Sequence, residues 1–82
     1  MNTELHILRL LRAAGDLLTP EAKIRSDLRL GVTPPPRHSE VSEAFDRLET
    51  AGLAISVRDQ LTGAVRWQAT DGGRAALAAR GL

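Results

Sequence analysis

Apolar and polar residues follow two different periods along this chain, and each period predicts a different kind of element. From residue 37 to residue 53 the apolar side chains are spaced as on one buried helix face, at i, i+3, i+4 and i+7: Val41, Ala44, Phe45 and Leu48. Ser39 can cap this helix with its hydroxyl oxygen, and Gly52 suits the left-handed residue that ends it. The pattern therefore predicts an amphipathic helix of about three turns.

After Gly52 the period changes to two, which is typical of a half-buried strand. The first run places every second residue inward: Leu53, Ile55 and Val57. Residues 59–63 supply a turn, and the return run again alternates, with these residues inward: Val65, Trp67 and Ala69. Arg58 and Arg66 are then expected on the strand face opposite Val57 and Val65. The sequence predicts a helix followed directly by a hairpin.

A first helix is predicted over Thr3–Ala14, with Asn2 or Thr3 as its cap and Gly15 at its end. Its apolar arc is wider than one face of a small domain normally needs: Leu5, Ile7, Leu8, Leu10, Leu11 and Ala14. One interpretation is a central helix covered on two sides by a small core. The other, which we favour slightly, is the seam of a symmetric dimer.

Thr19, which can cap a helix, and Pro20, which fits its first turn, predict the start of the second helix. Leu17-Leu18 before it reads as a short extended piece. The helix continues to about Leu30, with its basic residues mostly outward: Lys23, Arg25 and Arg29. Residues 32–36 contain three successive prolines and cannot be helical. A rigid turn is the better interpretation of this run than a ligand for an SH3-type partner.

A last helix starts at Thr70 or Asp71, where either side chain can cap, and runs to about Arg80. Gly72 and Gly73 weaken its first turn, but the alanines that follow are strong helix formers. Together with the first helix, this alanine-rich helix is the predicted homodimer interface.

Composition bounds the size and the setting of the protein. The chain has 82 residues, which suits one domain over residues 1–82, and its formal net charge is only +1. No cysteine is present, so disulfides and thiolate metal sites are excluded, and a reducing cytoplasm is the expected location. Neither a signal peptide nor an apolar run long enough to span a membrane is recognisable.

Residues that could carry catalysis are few and badly spaced. His6 and His38 lie on separate elements, without the spacing of metal ligands, and the serines lack a nucleophile motif. Trp67 could stack on a base, but its alternation with Val65 and Ala69 places it in the core or at its rim. We therefore predict no enzyme activity, no cofactor and no metal.

Three segments resemble the winged helix-turn-helix superfamily, especially the MarR-type and PadR-type transcriptional regulators. The segments are T-P-E-A-K-I at 19–24, S-E-V-S-E-A-F-D-R-L-E-T-A-G-L at 39–53 and R-W-Q-A-T-D-G-G-R-A-A-L at 66–77. The last is similar to the family's aromatic-x-apolar-Thr-x-x-Gly ending. The resemblance implies an α+β fold: a three-helix core, a two-stranded β-hairpin wing and a C-terminal helix.

In that family the helix matching Ser39–Ala51 enters the major groove, and the wing, here about Leu53–Thr70, lies along the backbone or minor groove. Carried over, the resemblance implies that these residues of the third helix face double-stranded DNA: Arg37, His38, Ser39, Ser42, Glu43, Asp46 and Arg47. It further implies that these residues contact phosphates: Arg58, Thr62 and Arg66 on the wing, and Lys23 and Arg25 on the second helix.

The chain departs from a strongly basic DNA-binding surface. Acidic residues recur every three positions along the presented helix: Glu40, Glu43, Asp46 and Glu49. Carboxylates near phosphates are repelled, although a carboxylate can accept a hydrogen bond from a cytosine amino group. The alternative is a winged-helix module that binds a protein partner, without binding DNA, through this acidic face or through the apolar first helix.

Overall fold

The computed structural model describes residues 2–82, which form four helices and three short strands. In chain order they are α1 (Thr3–Ala14), β1 (Thr19–Pro20), α2 (Glu21–Gly31), α3 (His38–Thr50), β2 (Ala54–Arg58), β3 (Val65–Ala69) and α4 (Asp71–Ala79). The predicted α+β class, with a helical core and a hairpin wing, is confirmed. Within the described range no helix combines the length and the apolarity needed to cross a bilayer.

The sheet is antiparallel in the order β1-β3-β2, so it has a third strand that the sequence did not predict as paired. β1 places Thr19 opposite Trp67 and Pro20 opposite Arg66. The prediction that Thr19 caps α2 is therefore wrong, because its backbone belongs to the strand and Pro20 occupies the cap position without a side-chain hydrogen bond. The expected extended piece lies two residues later than Leu17-Leu18.

Helix α3 buries the four apolar residues that its spacing predicted: Val41, Ala44, Phe45 and Leu48. Its N-cap is Arg37 and not Ser39, and no side chain caps it, so that prediction is wrong. Its C-terminal end is as expected. Gly52 has a φ of +74°, and the Leu53 amide donates to the Leu48 carbonyl over 2.9 Å.

Helix α1 occupies the centre of the core. Ile7, Leu8 and Leu11 are at most 1% exposed, and the helix packs against α3, α4, α2 and β3. Within residues 2–82, the large apolar side chains left exposed all lie outside α1 and α4: Leu17, Leu18, Leu30, Ile55, Val57 and Leu61. The wide apolar arc of α1 is thus covered within one copy of the chain.

The wing strand β2 has the opposite face inward from the one predicted. Ala54 is buried, whereas Ile55 and Val57 are each about half exposed, at 47% and 48%. β3 follows the prediction, with Trp67 and Ala69 buried. The register explains the difference, because Ala54 lies opposite Ala69 and both must share the core face.

Helix α4 begins at a tight junction with the end of α3. The Thr70 hydroxyl accepts from the Gly73 amide over 3.1 Å and donates to the Gly52 carbonyl over 2.6 Å. This confirms Thr70 as the cap. A Cβ on Gly73 would lie 2.1 Å from the Leu53 carbonyl oxygen, so only glycine fits there. The glycine that weakens the helix on propensity grounds is required by packing.

Candidate nucleic-acid interface

The outer face of α3 is open to solvent along its whole length. The buried face turns four apolar residues toward the core, and the opposite ridge carries these exposed residues: Ser39, Glu43, Asp46 and Thr50. We call these four residues the α3 ridge. A helix with one buried face and one uncovered ridge can enter a groove without any rearrangement of the core.

The α3 ridge is acidic rather than basic. A carboxylate oxygen of Glu43 lies 3.9 Å from an Arg47 nitrogen, and both side chains are largely exposed. Within residues 2–82 no group lies within hydrogen-bond or ion-pair distance of the Asp46 carboxylate. Arg37, at the N-terminal end of α3, is 85% exposed and only loosely paired with Glu40, at 3.8 Å. It is the most accessible cation beside the ridge.

Arg47 extends toward α1 and not along the α3 ridge. Its Nε donates to the Glu4 carboxylate, and its side chain lines a groove with residues of α1 and α4. The hydrogen bond to Glu4, aided by the charges of Glu4 and Glu43, raises the pKa of Arg47 above its ordinary value. To reach a base, Arg47 would have to leave Glu4.

Each nitrogen of the Arg25 guanidinium has a protein partner, on α2 itself or on α3. Nε donates to Glu21 over 3.2 Å, Nη1 approaches both the ring Nδ1 and the carbonyl of His38 at 3.3 Å, and Nη2 donates to Ser42 over 2.9 Å. Its Cζ also lies 5.8 Å from the Phe45 ring centroid. Three predicted DNA-facing residues, Arg25, His38 and Ser42, are therefore brought together, but they contact one another.

The same junction continues into the wing through Trp67. The indole Nε1 donates to the second carboxylate oxygen of Glu21 over 2.9 Å, and the ring stacks on Phe45 with centroids 4.6 Å apart. On the other strand, the Ser56 hydroxyl donates to Glu49 of α3 over 2.6 Å. These contacts border a shallow groove of about 220 Å³ between α3 and the wing.

The two wing arginines lie on opposite faces of the hairpin. Arg58 pairs with Val65, and Arg66 pairs with Val57, so the two arginines belong to different rows of the pleat. Arg58 borders the groove beside α3, whereas Arg66 lies on the outer sheet face next to Pro20. The prediction that both project from one face, opposite Val57 and Val65, is wrong because Val57 and Val65 themselves lie on opposite faces.

Asp59 organises the wing turn. Its carboxylate accepts the amides of Leu61 and Thr62 over 2.8 and 3.1 Å, and the Gly63 amide donates to its carbonyl over 2.9 Å. These amide hydrogen bonds, first that of Thr62, lower the pKa of Asp59 below its ordinary value. Thr62 is thereby held at the exposed tip of the hairpin, where its hydroxyl accepts from the Ala64 amide.

Lys23 completes the predicted set on α2. Its ammonium pairs with Asp27 over 2.9 Å at a largely exposed position. Within residues 2–82 no group of three or more metal-ligating side chains comes together. The interface therefore consists of an acidic exposed ridge, one freely accessible arginine at its N-terminal end and a wing with one arginine on each face.

Helices α2 and α3 joined by a proline turn, followed by a hairpin wing, define a winged-helix fold. No protein-family model matches the chain, and no curated protein matches its sequence.

Solved structures of transcriptional regulators share the fold. A regulator from Clostridium thermocellum superposes with a TM-score of 0.79 at 20% identity, over 94% of this chain and 74% of that one. PcaV from Streptomyces coelicolor gives 0.70 at 24% identity, over 95% and 50% of the two chains. ZitR from Lactococcus lactis gives 0.67 at 25% identity, over 96% and 49%. The chain spans about half the length of the latter two.

Proposed function

We propose that this protein binds double-stranded DNA as a small transcriptional regulator. The observation that carries the proposal is the agreement of nearly the whole chain with the fold of regulators, with the α3 ridge left uncovered. In this proposal α3 enters the major groove and the β2–β3 hairpin lies along the adjacent backbone. Binding of this kind needs no catalysed reaction and no cofactor. It takes place in the compartment that holds the DNA, which we expect to be the cytoplasm.

The polar residues around the N-terminal end of α3 are the proposed contacts to DNA. Arg37 can bind a phosphate or the guanine edge, and Ser39 can contact a base edge or a phosphate. His38 and Ser42 lie beside the α3 ridge, where both contact Arg25. Arg47 and Lys23 remain proposed contacts, although each is paired with a carboxylate in the free protein.

Charge on this interface favours selective rather than general binding. Glu43 and Asp46 are repelled by phosphates, so they weaken binding to any duplex. In the major groove, however, a carboxylate can accept a hydrogen bond from the amino group of cytosine. The acidic α3 ridge is therefore compatible with DNA binding in which sequence-independent affinity is low.

A homodimer through α1 and α4 is the proposed assembly, because symmetric pairs are the common form of small DNA-binding proteins. The covered core face of α1 leaves Arg9 and Ala13 as its exposed residues, and α4 exposes Ala75, Ala78 and Ala79. Sedimentation at micromolar concentration tests this proposal. A mass of about twice 8.8 kDa is expected for the dimer, and a monomer at all concentrations would refute it.

The test of function is a titration with labelled mixed-sequence duplex at about 50 mM salt, where non-specific binding is strong, followed by selection of bound sequences from a random pool. Enrichment of one sequence, with an affinity that falls as salt rises, supports the proposal. Absence of both binding and enrichment refutes it and would direct attention to a protein partner of the acidic ridge.

A further inference from the structure

We propose that Arg25 is a positioning residue, which fixes the orientation of α3 relative to α2 and the wing, and that it makes no phosphate contact. This inference rests on the proposed function, because it concerns how the same interface is aligned for DNA. It assigns a role to a residue that lies next to the α3 ridge without belonging to it.

The first argument is that the donors of Arg25 are already used. All three guanidinium nitrogens have protein partners, and these come from two helices: Glu21 on α2, and His38 and Ser42 on α3. The side chain is only 20% exposed, in contrast to 64% for Lys23 on the same helix. A phosphate contact would require Arg25 to break several of these hydrogen bonds.

The second argument is that the contacts of Arg25 join α2 to the first turn of α3. His38 is the first residue of α3 and Ser42 lies one turn later, so Arg25 holds the N-terminal turn. That turn carries Ser39, the first residue of the α3 ridge. Arg25 donates to the His38 carbonyl and to the Ser42 hydroxyl, and these two hydrogen bonds hold the first turn of α3 against α2.

The third argument is that the same group connects to the wing. Glu21 accepts from Arg25 with one oxygen and from Trp67 of β3 with the other. Trp67 in turn stacks on Phe45 of α3, over which Arg25 also lies. These contacts link α2, α3 and β3 in a ring. Loss of Arg25 should therefore loosen both α3 and the β2–β3 hairpin.

Lysine cannot replace arginine in this ring of contacts. An ammonium group on a flexible stem has no planar fork and cannot reach Glu21, the His38 carbonyl and Ser42 together. Arg25→Lys therefore keeps the charge and removes the alignment, whereas Arg25→Gln removes both. Arg29→Gln is the matched control, because it removes one positive charge from the same helix at an exposed position whose side-chain hydrogen bond, among residues 2–82, goes to Ser26 of α2 itself.

The DNA experiment compares these variants for affinity to the selected and a scrambled duplex over a range of salt, at a temperature where all are folded. A positioning role predicts that Arg25→Lys lowers the ratio of the two affinities about fivefold or more, since aligned base contacts carry discrimination of that order. It also predicts that Arg25→Gln leaves the slope of log affinity against log salt unchanged. The opposite result would be a salt slope reduced by about one unit in Arg25→Gln, together with wild-type affinities for both duplexes in Arg25→Lys. That result would identify a phosphate contact and overturn the proposal.

A DNA-free measurement separates failure of this inference from failure of the proposed function. The chain has no cysteine, so Ser39→Cys and Leu61→Cys place unique spin labels on α3 and on the wing tip. The distance distribution between the labels should broaden in Arg25→Gln and stay narrow in Arg29→Gln. A broadened distribution without any DNA binding by the wild type supports the positioning role and refutes only the DNA function. An unchanged distribution in Arg25→Gln overturns the positioning role.

Discussion

At Gly73, helix propensity and tertiary packing make opposite demands. Two adjacent glycines in the first turn of a helix indicate weakness, and the sequence gives no sign that they differ. In the fold, the backbone of Leu53 passes directly over Gly73, whereas a Cβ on Gly72 would meet its nearest atom at an ordinary 3.5 Å. The contact that distinguishes them joins positions twenty residues apart, which no local pattern reveals.

Gly73→Ala should lower the free energy of unfolding by at least about 1–3 kcal/mol, because the added methyl group overlaps the Leu53 carbonyl and must displace the backbone. Gly72→Ala is the matched control and should be neutral or stabilising by up to about 1 kcal/mol, through better helix propensity. Urea unfolding of the two variants and the wild type measures both effects. Equal stabilities for the two variants would show that the Leu53 contact is unimportant.

Asp59 gives a second prediction for a single residue. Its pKa is lowered in the folded protein by the amides of Thr62 and Leu61, so its ionised form stabilises the wing turn. That stabilisation is complete above the ordinary aspartate pKa of about 3.9 and is lost as the pH falls through the lowered value. Amide hydrogen exchange at residues 61 and 62 should accelerate, relative to the rest of the sheet, in that acidic range. Asp59→Ala lacks the carboxylate, so its exchange at residues 61 and 62 should show no such acceleration on lowering the pH. An equal acceleration in that variant would contradict the assignment to Asp59.

Single elements were predicted well where the sequence carried one periodic signal. Helix α3 has one apolar stripe, and its buried residues follow from spacing alone. The prediction for strand β2 failed because its alternation places the larger apolar residues, Ile55 and Val57, on the face that is exposed in the fold, whereas the small Ala54 is buried. The register is set by Ala54 opposite Ala69 and by the Thr70 amide donating to the Leu53 carbonyl, contacts that join distant positions.

The acidic α3 ridge leads to a prediction for that helix. In the proposed complex, the double change Glu43→Gln with Asp46→Asn removes two charges that repel phosphates, so affinity for mixed-sequence duplex should rise about fivefold at low salt. Asp16→Asn with Asp71→Asn is the control, because it gives the same net charge at two fully exposed sites outside the α3 ridge. A comparable rise in both double variants would mean that net charge, and not the ridge, limits binding.

At the scale of the whole molecule, the predicted interface residues do not form one basic patch. Arg37 lies at the start of α3, Arg47 faces α1, and the two wing arginines lie on opposite faces. Sequence could assign each arginine to an element but not to a direction. Glu4, the hydrogen-bond partner of Arg47, lies 43 positions away and is brought to it only by tertiary packing, and the face that Arg58 occupies depends on the strand register. The Glu21–Arg25 pair, spaced at i and i+4, was the one readable sign that Arg25 is engaged within the protein.

The arrangement of the wing predicts that its two arginines are not equivalent. Arg58 borders the groove beside α3, so Arg58→Ala should weaken binding to any duplex and reduce the salt slope by about one unit. Arg66 lies on the outer sheet face, so Arg66→Ala should leave the slope unchanged while removing the same charge. Fluorescence anisotropy with a labelled duplex at several salt concentrations measures both. The reverse order would place the duplex against the outer face of the sheet.

Trp67 also makes the protein its own spectroscopic probe. It is the only tryptophan in a chain without tyrosine, so near-ultraviolet emission comes from one residue. That residue is only 4% exposed, stacked on Phe45 and hydrogen-bonded to Glu21, where two helices and the sheet meet. A shift of its emission maximum or a change in quenching therefore registers movement of the wing against the helices. Such movement can be followed in real time in the unmodified protein, during unfolding or during the addition of a nucleic acid.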